Sequence, residues 1–148
     1  MLFDDGTYLA NFEKAIRNLI GNDNIVFSKW HQSVLKVLNL GISNLQSTIP
    51  DYVIVHGEVE IGPNCKFIGP AVICGPSIIG SNVIFGPFSY VRPGSIIEDY
   101  SEIGHSVEIK NSHVGKNARL RHKCYIGDSF FWERVLILEL AIVPLLEI

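Results

Sequence analysis

At 148 residues, 47% of them hydrophobic, the chain has the length of one globular domain and too little for two of ordinary size. Its formal net charge of -3, without a long Lys/Arg run, excludes the usual footprint for duplex nucleic acid or an anionic membrane, so neither is expected as a partner. Cys65, Cys74 and Cys124 are an odd number with no CxxC pair, and the first residues carry acids where a signal peptide would carry bases; this reads as a reduced, cytoplasmic protein.

The first elements are helical. "NFEKAIRNLI" spaces Phe12, Ala15, Ile16, Leu19 and Ile20 on one face, and "SKWHQSVLKVLNLGISNLQ" does the same with Trp30, Val34, Leu35, Leu38 and Leu45. Ser28 suits an N-cap, Gly41 frays the second helix and Pro50 ends the region. Residues 1–50 are therefore expected as an α-helical segment whose apolar residues pack rather than catalyse.

From Asp51 the period becomes six. Val55, Ile61, Phe67, Ile73, Ile79, Phe85, Val91, Ile97, Ile103 and Ile109 recur in strict register. Two residues before each stands a small or β-branched side chain, from Val53 through Ser77, Ser95 and Val107. The register slips by one after Lys110 and resumes at Val114, Leu120 and Ile126. A large and a small residue at fixed places in every hexad build a three-sided parallel β-helix, one hexad per side. Residues 51–129 make about four coils of it. Glycines after the large residue, such as Gly62, Gly80, Gly86 and Gly104, are expected at corners that need permissive backbone angles.

Coil arithmetic then places the polar residues. Lys110 follows Arg92 by 18 residues, so the two cations lie one coil apart, about 4.8 Å in the sheet direction. That closeness is unfavourable unless something negative sits with them, which reads as an anion site, phosphate above all; the alternative is two long side chains splaying into water at almost no cost, assisted by Glu108 or Glu98. The slip shortens the next coil to 17, which sets His122 one coil beyond His105, and Tyr125 one coil beyond Glu108. An imidazole suits a general base, though a corner histidine between Arg121 and Lys123 also has an ordinary surface role. His105, His113 and His122 lack the short paired spacing of a metal site, and no metal is expected.

The run "RPGSIIEDYSEIGHSVEIKNSHVGKNARLRHKCYIGD" resembles the acetyltransferase part of the bifunctional glucosamine-1-phosphate N-acetyltransferase and N-acetylglucosamine-1-phosphate uridyltransferase family. The likeness rests on the arginine of "RPG", the lysine of "VEIK" and "HKCYIGD", with their intervals kept. It implies a left-handed β-helix, although crossovers are normally right-handed. It further implies that Arg92 and Lys110 hold an amino-sugar phosphate, that His122 is the catalytic base, that Tyr125 positions the sugar, and that acetyl-CoA is the acyl donor. A homotrimer is implied where the β-helix is complete. The layout also resembles shorter sugar-phosphate nucleotidyltransferase-related proteins that carry the β-helix alone, and a non-catalytic oligomerisation or regulatory module is the alternative function.

The last 19 residues, 130–148, lose the pattern in "FFWERVLILELAIVPLLEI". Acids and Arg134 interrupt the apolar run, which excludes a membrane span, and an amphipathic helix capping the last coil is one expectation. A sharper one uses the genetic code. Trp132 is always TGG, and the neighbouring frame across Glu133 to Leu140 permits "GEGVNIGAG", whose "VNIGAG" matches the family's next hexad. Residues from Trp132 are therefore expected to be a shifted-frame tail, and acetyl transfer by the chain as written is expected to be weak or absent.

Overall fold

The computed structural model of the protein describes residues 44–131, 134–137 and 142–143. The predicted helices lie outside the described residues except for their last positions. There the structure corrects the expectation: Asn44–Leu45 is a strand, and Leu45 is exposed rather than on an apolar helical face. The edge of the first sheet presents unpaired amides and carbonyls, and this short strand answers them, with the Gln46 amide donating to the Ile61 carbonyl at 2.8 Å.

Short strands follow one another along the chain: β1 (Asn44–Leu45), β2 (Val53–His56), β3 (Val59–Ile61), β4 (Lys66–Phe67), β5 (Ala71–Cys74), β6 (Ser77–Ile79), β7 (Ile84–Phe85), β8 (Ser89–Val91) and β9 (Ser95–Ile97). They continue as β10 (Glu102–His105), β11 (Glu108–Lys110), β12 (His113–Val114), β13 (Arg119–His122), β14 (Tyr125–Gly127), β15 (Phe130–Phe131), β16 (Leu136–Ile137) and β17 (Ile142–Val143). Every third strand pairs in parallel, giving three sheets ordered β1-β3-β6-β9-β12-β15, β16-β13-β10-β7-β4 and β17-β14-β11-β8-β5-β2. The result is a mainly β parallel solenoid of about five turns. The four coils expected over 51–129 are there, and β1 with the strands after Gly127 extend them.

The hexads set the core. From Ile61 to Ile126 each large residue is buried at 8% exposure or less, and together they form one continuous apolar cluster. Phe67 and Phe85 stack within it, ring centroids 5.0 Å apart. Val55, at the start, is only partly buried. The serines at the small positions are buried because the space there admits little more, and the hydroxyls of Ser77, Ser95, Ser101 and Ser112 bond to backbone carbonyls, as Ser95 Oγ does to Arg92 O at 2.7 Å.

The corners correct the reading of the glycines. Left-handed backbone is taken at Asn64, Asn82, Tyr100, Asn117 and Arg134 on one edge, at Phe88, Ser106 and Lys123 on the second, and at Gly94, Asn111 and Asp128 on the third. Asparagine tolerates this conformation better than most residues, which explains its recurrence. Gly62 and Gly86 answer a different need, close approach of neighbouring coils. A Cβ on Gly62 would lie 2.8 Å from the Gly80 backbone, and one on Gly86 would lie 2.7 Å from the His105 amide nitrogen.

The register also corrects the expectation that the hexads end near residue 129. From Val53↔Ala71 through Tyr90↔Glu108 the coils are 18 residues long; from His113↔Ile96 onward they are 17. A second shortened corner, at Gly127-Asp128-Ser129, repeats the one at Lys110-Asn111-Ser112, and Asn111 Nδ2 donates to Asp128 Oδ1 at 2.7 Å between them. Beyond it Ser129, Phe131, Val135 and Ile137 resume the small-large alternation, with Ile137 buried beside Leu120 in register. Ala141 and Val143 keep the same sequence positions, and Ile142–Val143 is again a strand. The described tail residues are thus strands and turns rather than an amphipathic cap helix.

Candidate functional site

The predicted neighbours are brought together as the coil arithmetic required. Val91 pairs with Ile109, and the Arg92 amide donates to the Ile109 carbonyl at 2.7 Å, which sets Arg92 beside Lys110. Serine hydroxyls fix both corners: Ser95 Oγ bonds to the Arg92 carbonyl and Ser112 Oγ to the Lys110 carbonyl, each at 2.7 Å. Glu108 pairs in register with Tyr125, and His105 with His122.

The negative partner for the two cations is partly within the chain. Arg92 Nη1 lies 2.9 Å from Glu108 Oε1, with both side chains more than a third exposed. The hydrogen bond it donates to Glu108 is the main cause holding the Arg92 guanidinium above its ordinary pKa; burial opposes it, and the fields of Glu108, Tyr90 and Tyr125 add to it. Among the described residues, no acid pairs with Lys110. One cation of the pair is therefore neutralised and the other remains available to an external anion.

Tyr125 stands at the start of β14 with its side chain folded back along the strand. A Cβ on Gly127 would meet the Tyr125 ring at 2.7 Å, so the missing side chain is what lets the ring lie there. Gly127 is the register partner of Lys110, so the Tyr125 ring lies over the residue one coil beyond Lys110. His122 stands at the end of β13, its ring stacked on that of His105 at a centroid distance of 5.4 Å and an interplanar angle of 10°.

His113 belongs to another part of the molecule. Its Nε2 lies 2.8 Å from Glu98 Oε1, both side chains are buried, and the Lys116 amide donates to Glu98 Oε2 at 3.1 Å. The described residues contain no group of three or more His, Cys, Asp or Glu side chains arranged for a metal ion. A cavity of about 450 Å³, lined by Tyr100, Asn117, Arg119, Arg134, Val135 and Leu136, opens at the other end of β13 from His122. No helix among the described residues is long and apolar enough to cross a membrane. Sequence reasoning named Glu108 only as an aid to two splayed cations and read Gly127, like the other glycines after the large residue, as a corner; both are one coil from a chosen residue, and that interval is the signal.

The fold is a parallel β-helix built on a hexapeptide repeat. Residues 76–111, which include Arg92 and Lys110, match the family described as Bacterial transferase hexapeptide (six repeats). The chain is similar to proteins named Bifunctional protein GlmU. That of Heliobacterium modesticaldum is 37% identical over 98 residues, covering 55% of this chain and 21% of the relative. That of Caldicellulosiruptor saccharolyticus is 42% identical over 78 residues, covering 53% and 16%, and that of Pseudomonas putida is 32% identical over 87 residues, covering 52% and 19%. The chain thus spans about a fifth of the length of the curated relatives it matches.

Proposed function

We propose that this β-helix holds an amino-sugar phosphate and serves N-acyl transfer to the amino group. Lys110 and Arg92 take the phosphate, Tyr125 positions the sugar, and His122 is the general base. The observation that supports this most is the change of coil length. With an 18-residue coil between Arg92 and Lys110 and a 17-residue coil after it, the cations, phenol and imidazole fall in adjoining coils around β11.

Acetyl-CoA is the donor that the sequence resemblance implies; no described residue is assigned to it. The amine nitrogen attacks the thioester carbonyl, the carbon-sulfur bond breaks, and the amine proton passes to His122 as the thiolate leaves. A thiol-release assay with glucosamine 1-phosphate and acetyl-CoA tests the reading. A low turnover, abolished by His122→Ala and with a raised KM in Lys110→Ala, is the expected result. Turnover unaffected by His122→Ala would refute the assigned base.

The Arg92-Glu108 ion pair favours a second reading, because a cation already matched needs no ligand. In it the β-helix is an oligomerisation or regulatory module for a separate sugar nucleotidyltransferase, a homotrimer using exposed apolar residues such as Ile54, Ile68 and Phe88. Light scattering on the wild type and Arg92→Ala separates the two: a trimer indifferent to the substitution and unresponsive to the sugar phosphate supports the module.

A further inference from the structure

We infer that His105 is a positioning residue for His122, and that the stack of the two imidazoles, rather than a hydrogen-bonded carboxylate, orients the base. The inference rests on the proposed role of His122 and deepens it.

The stack is built by the backbone. Gly104-His105-Ser106 and Arg121-His122-Lys123 are successive passes through one corner, each followed by left-handed backbone, with φ of 55° at Ser106 and 48° at Lys123. The Lys123 amide donates to the His105 carbonyl at 3.0 Å. The coils approach so closely at this point that a side chain on Gly104 would collide with the Arg121 carbonyl. Both histidines therefore leave parallel backbones in register, and their ring planes lie 10° from parallel. Phe67 and Phe85 stack similarly, but inside the core where packing surrounds them. His122 is on the outer rim, and among the described residues its ring makes no hydrogen bond. A base needs a fixed ring to keep one nitrogen aimed at the amine, and an orienting partner usually supplies it. Here the facing ring is that partner.

The test compares wild type, His105→Ala and His105→Phe, the last retaining an aromatic face without a titratable group. Two measurements are made on each full-length chain: the ring-proton shifts and side-chain relaxation of His122 by NMR, and kcat and KM for thiol release with glucosamine 1-phosphate and acetyl-CoA. His105→Ala is expected to lose the ring-current displacement at His122 and to lower kcat roughly 10-fold while KM for the sugar phosphate changes less than about twofold. His105→Phe is expected to restore both. An unchanged kcat in His105→Ala, or a loss that His105→Phe does not rescue, overturns the inference and leaves the base assignment standing. Wild-type protein with an ordered stack and no turnover overturns the base assignment, and the inference falls with it.

Discussion

Arg92 and Glu108 are bound to each other across neighbouring coils, Nη1 to Oε1 at 2.9 Å, so an acid of the protein occupies part of the space between two cations one turn apart. An exposed, solvent-screened pair of this kind is weak, and a phosphate dianion can outcompete it. Glu108→Gln should therefore tighten binding of inorganic phosphate by roughly two- to fivefold. Lys110→Ala should weaken it, and added salt should reduce both effects. Isothermal titration at two ionic strengths reads this directly; weaker phosphate binding in Glu108→Gln would show that the carboxylate holds Arg92 in a binding-competent position.

Gly104 gives a test of the coil contact itself. Because its absent Cβ would meet the Arg121 carbonyl, which is backbone, neither neighbour can move aside without displacing a strand. Gly104→Ala should cost about 3 kcal/mol, the upper end of overpacking penalties. Gly57 makes a useful comparison: its φ is +81°, yet an added Cβ would come no closer than 3.4 Å to anything, so Gly57→Ala carries conformational strain alone, about 1–2 kcal/mol. Urea midpoints that rank the two variants in the opposite order would contradict the account.

Much of this was legible because a β-helix converts sequence interval into distance. Once the large residues from Ile61 onward fixed the period, the pairings of His105 with His122 and of Glu108 with Tyr125 followed by addition. The first loss of a residue, after Lys110, was visible because Val114 still stood out from its neighbours. The second, at Asp128, was not. Phe130, Phe131 and Trp132 are all large, so no contrast marked which of them faced inward, and the following hexads lacked glycine. Glycines were legible as important but not for the reason given, since close approach and left-handed corners leave the same mark in a sequence. The Arg92-Glu108 pair could be named only as one option, because side-chain direction on an exposed strand is not set by periodicity.

Ile137 tests whether the chain beyond Trp132 builds a coil. It is buried, pairs in register beside Leu120 and belongs to the core cluster. Ile137→Ala should destabilise the solenoid by about 2–3 kcal/mol, toward the low end for a buried aliphatic at a chain end. Leu136→Ala, on the exposed neighbour, should be close to neutral. Equal and negligible effects would mean that this segment does not pack as a coil, as expected of residues read in a shifted frame. Resequencing the codons from Ser129 onward would then decide whether another frame continues through "VNIGAG".

Glu60 links the solenoid to pH. It occupies the middle of β3 with Ile78 as its register partner in the next coil, is 5% exposed, and its Oε2 has no hydrogen-bond partner among the described residues. Burial pushes its carboxyl above the ordinary value. A raised folded-state pKa means that, between the unfolded value of about 4.3 and the folded one, the native state holds more proton than the unfolded state. Stability from this group is thus fully present below the unfolded value and declines as pH rises through the folded one. Glu60→Gln keeps the neutral shape and removes the titration. The variant should melt about 2–4 °C higher than wild type at pH 8, with the difference shrinking toward pH 4. A difference independent of pH, or a variant less stable at pH 8, would show that the Glu60 carboxylate is paired in solution rather than stranded, and that the outer face of β3 favours its charge.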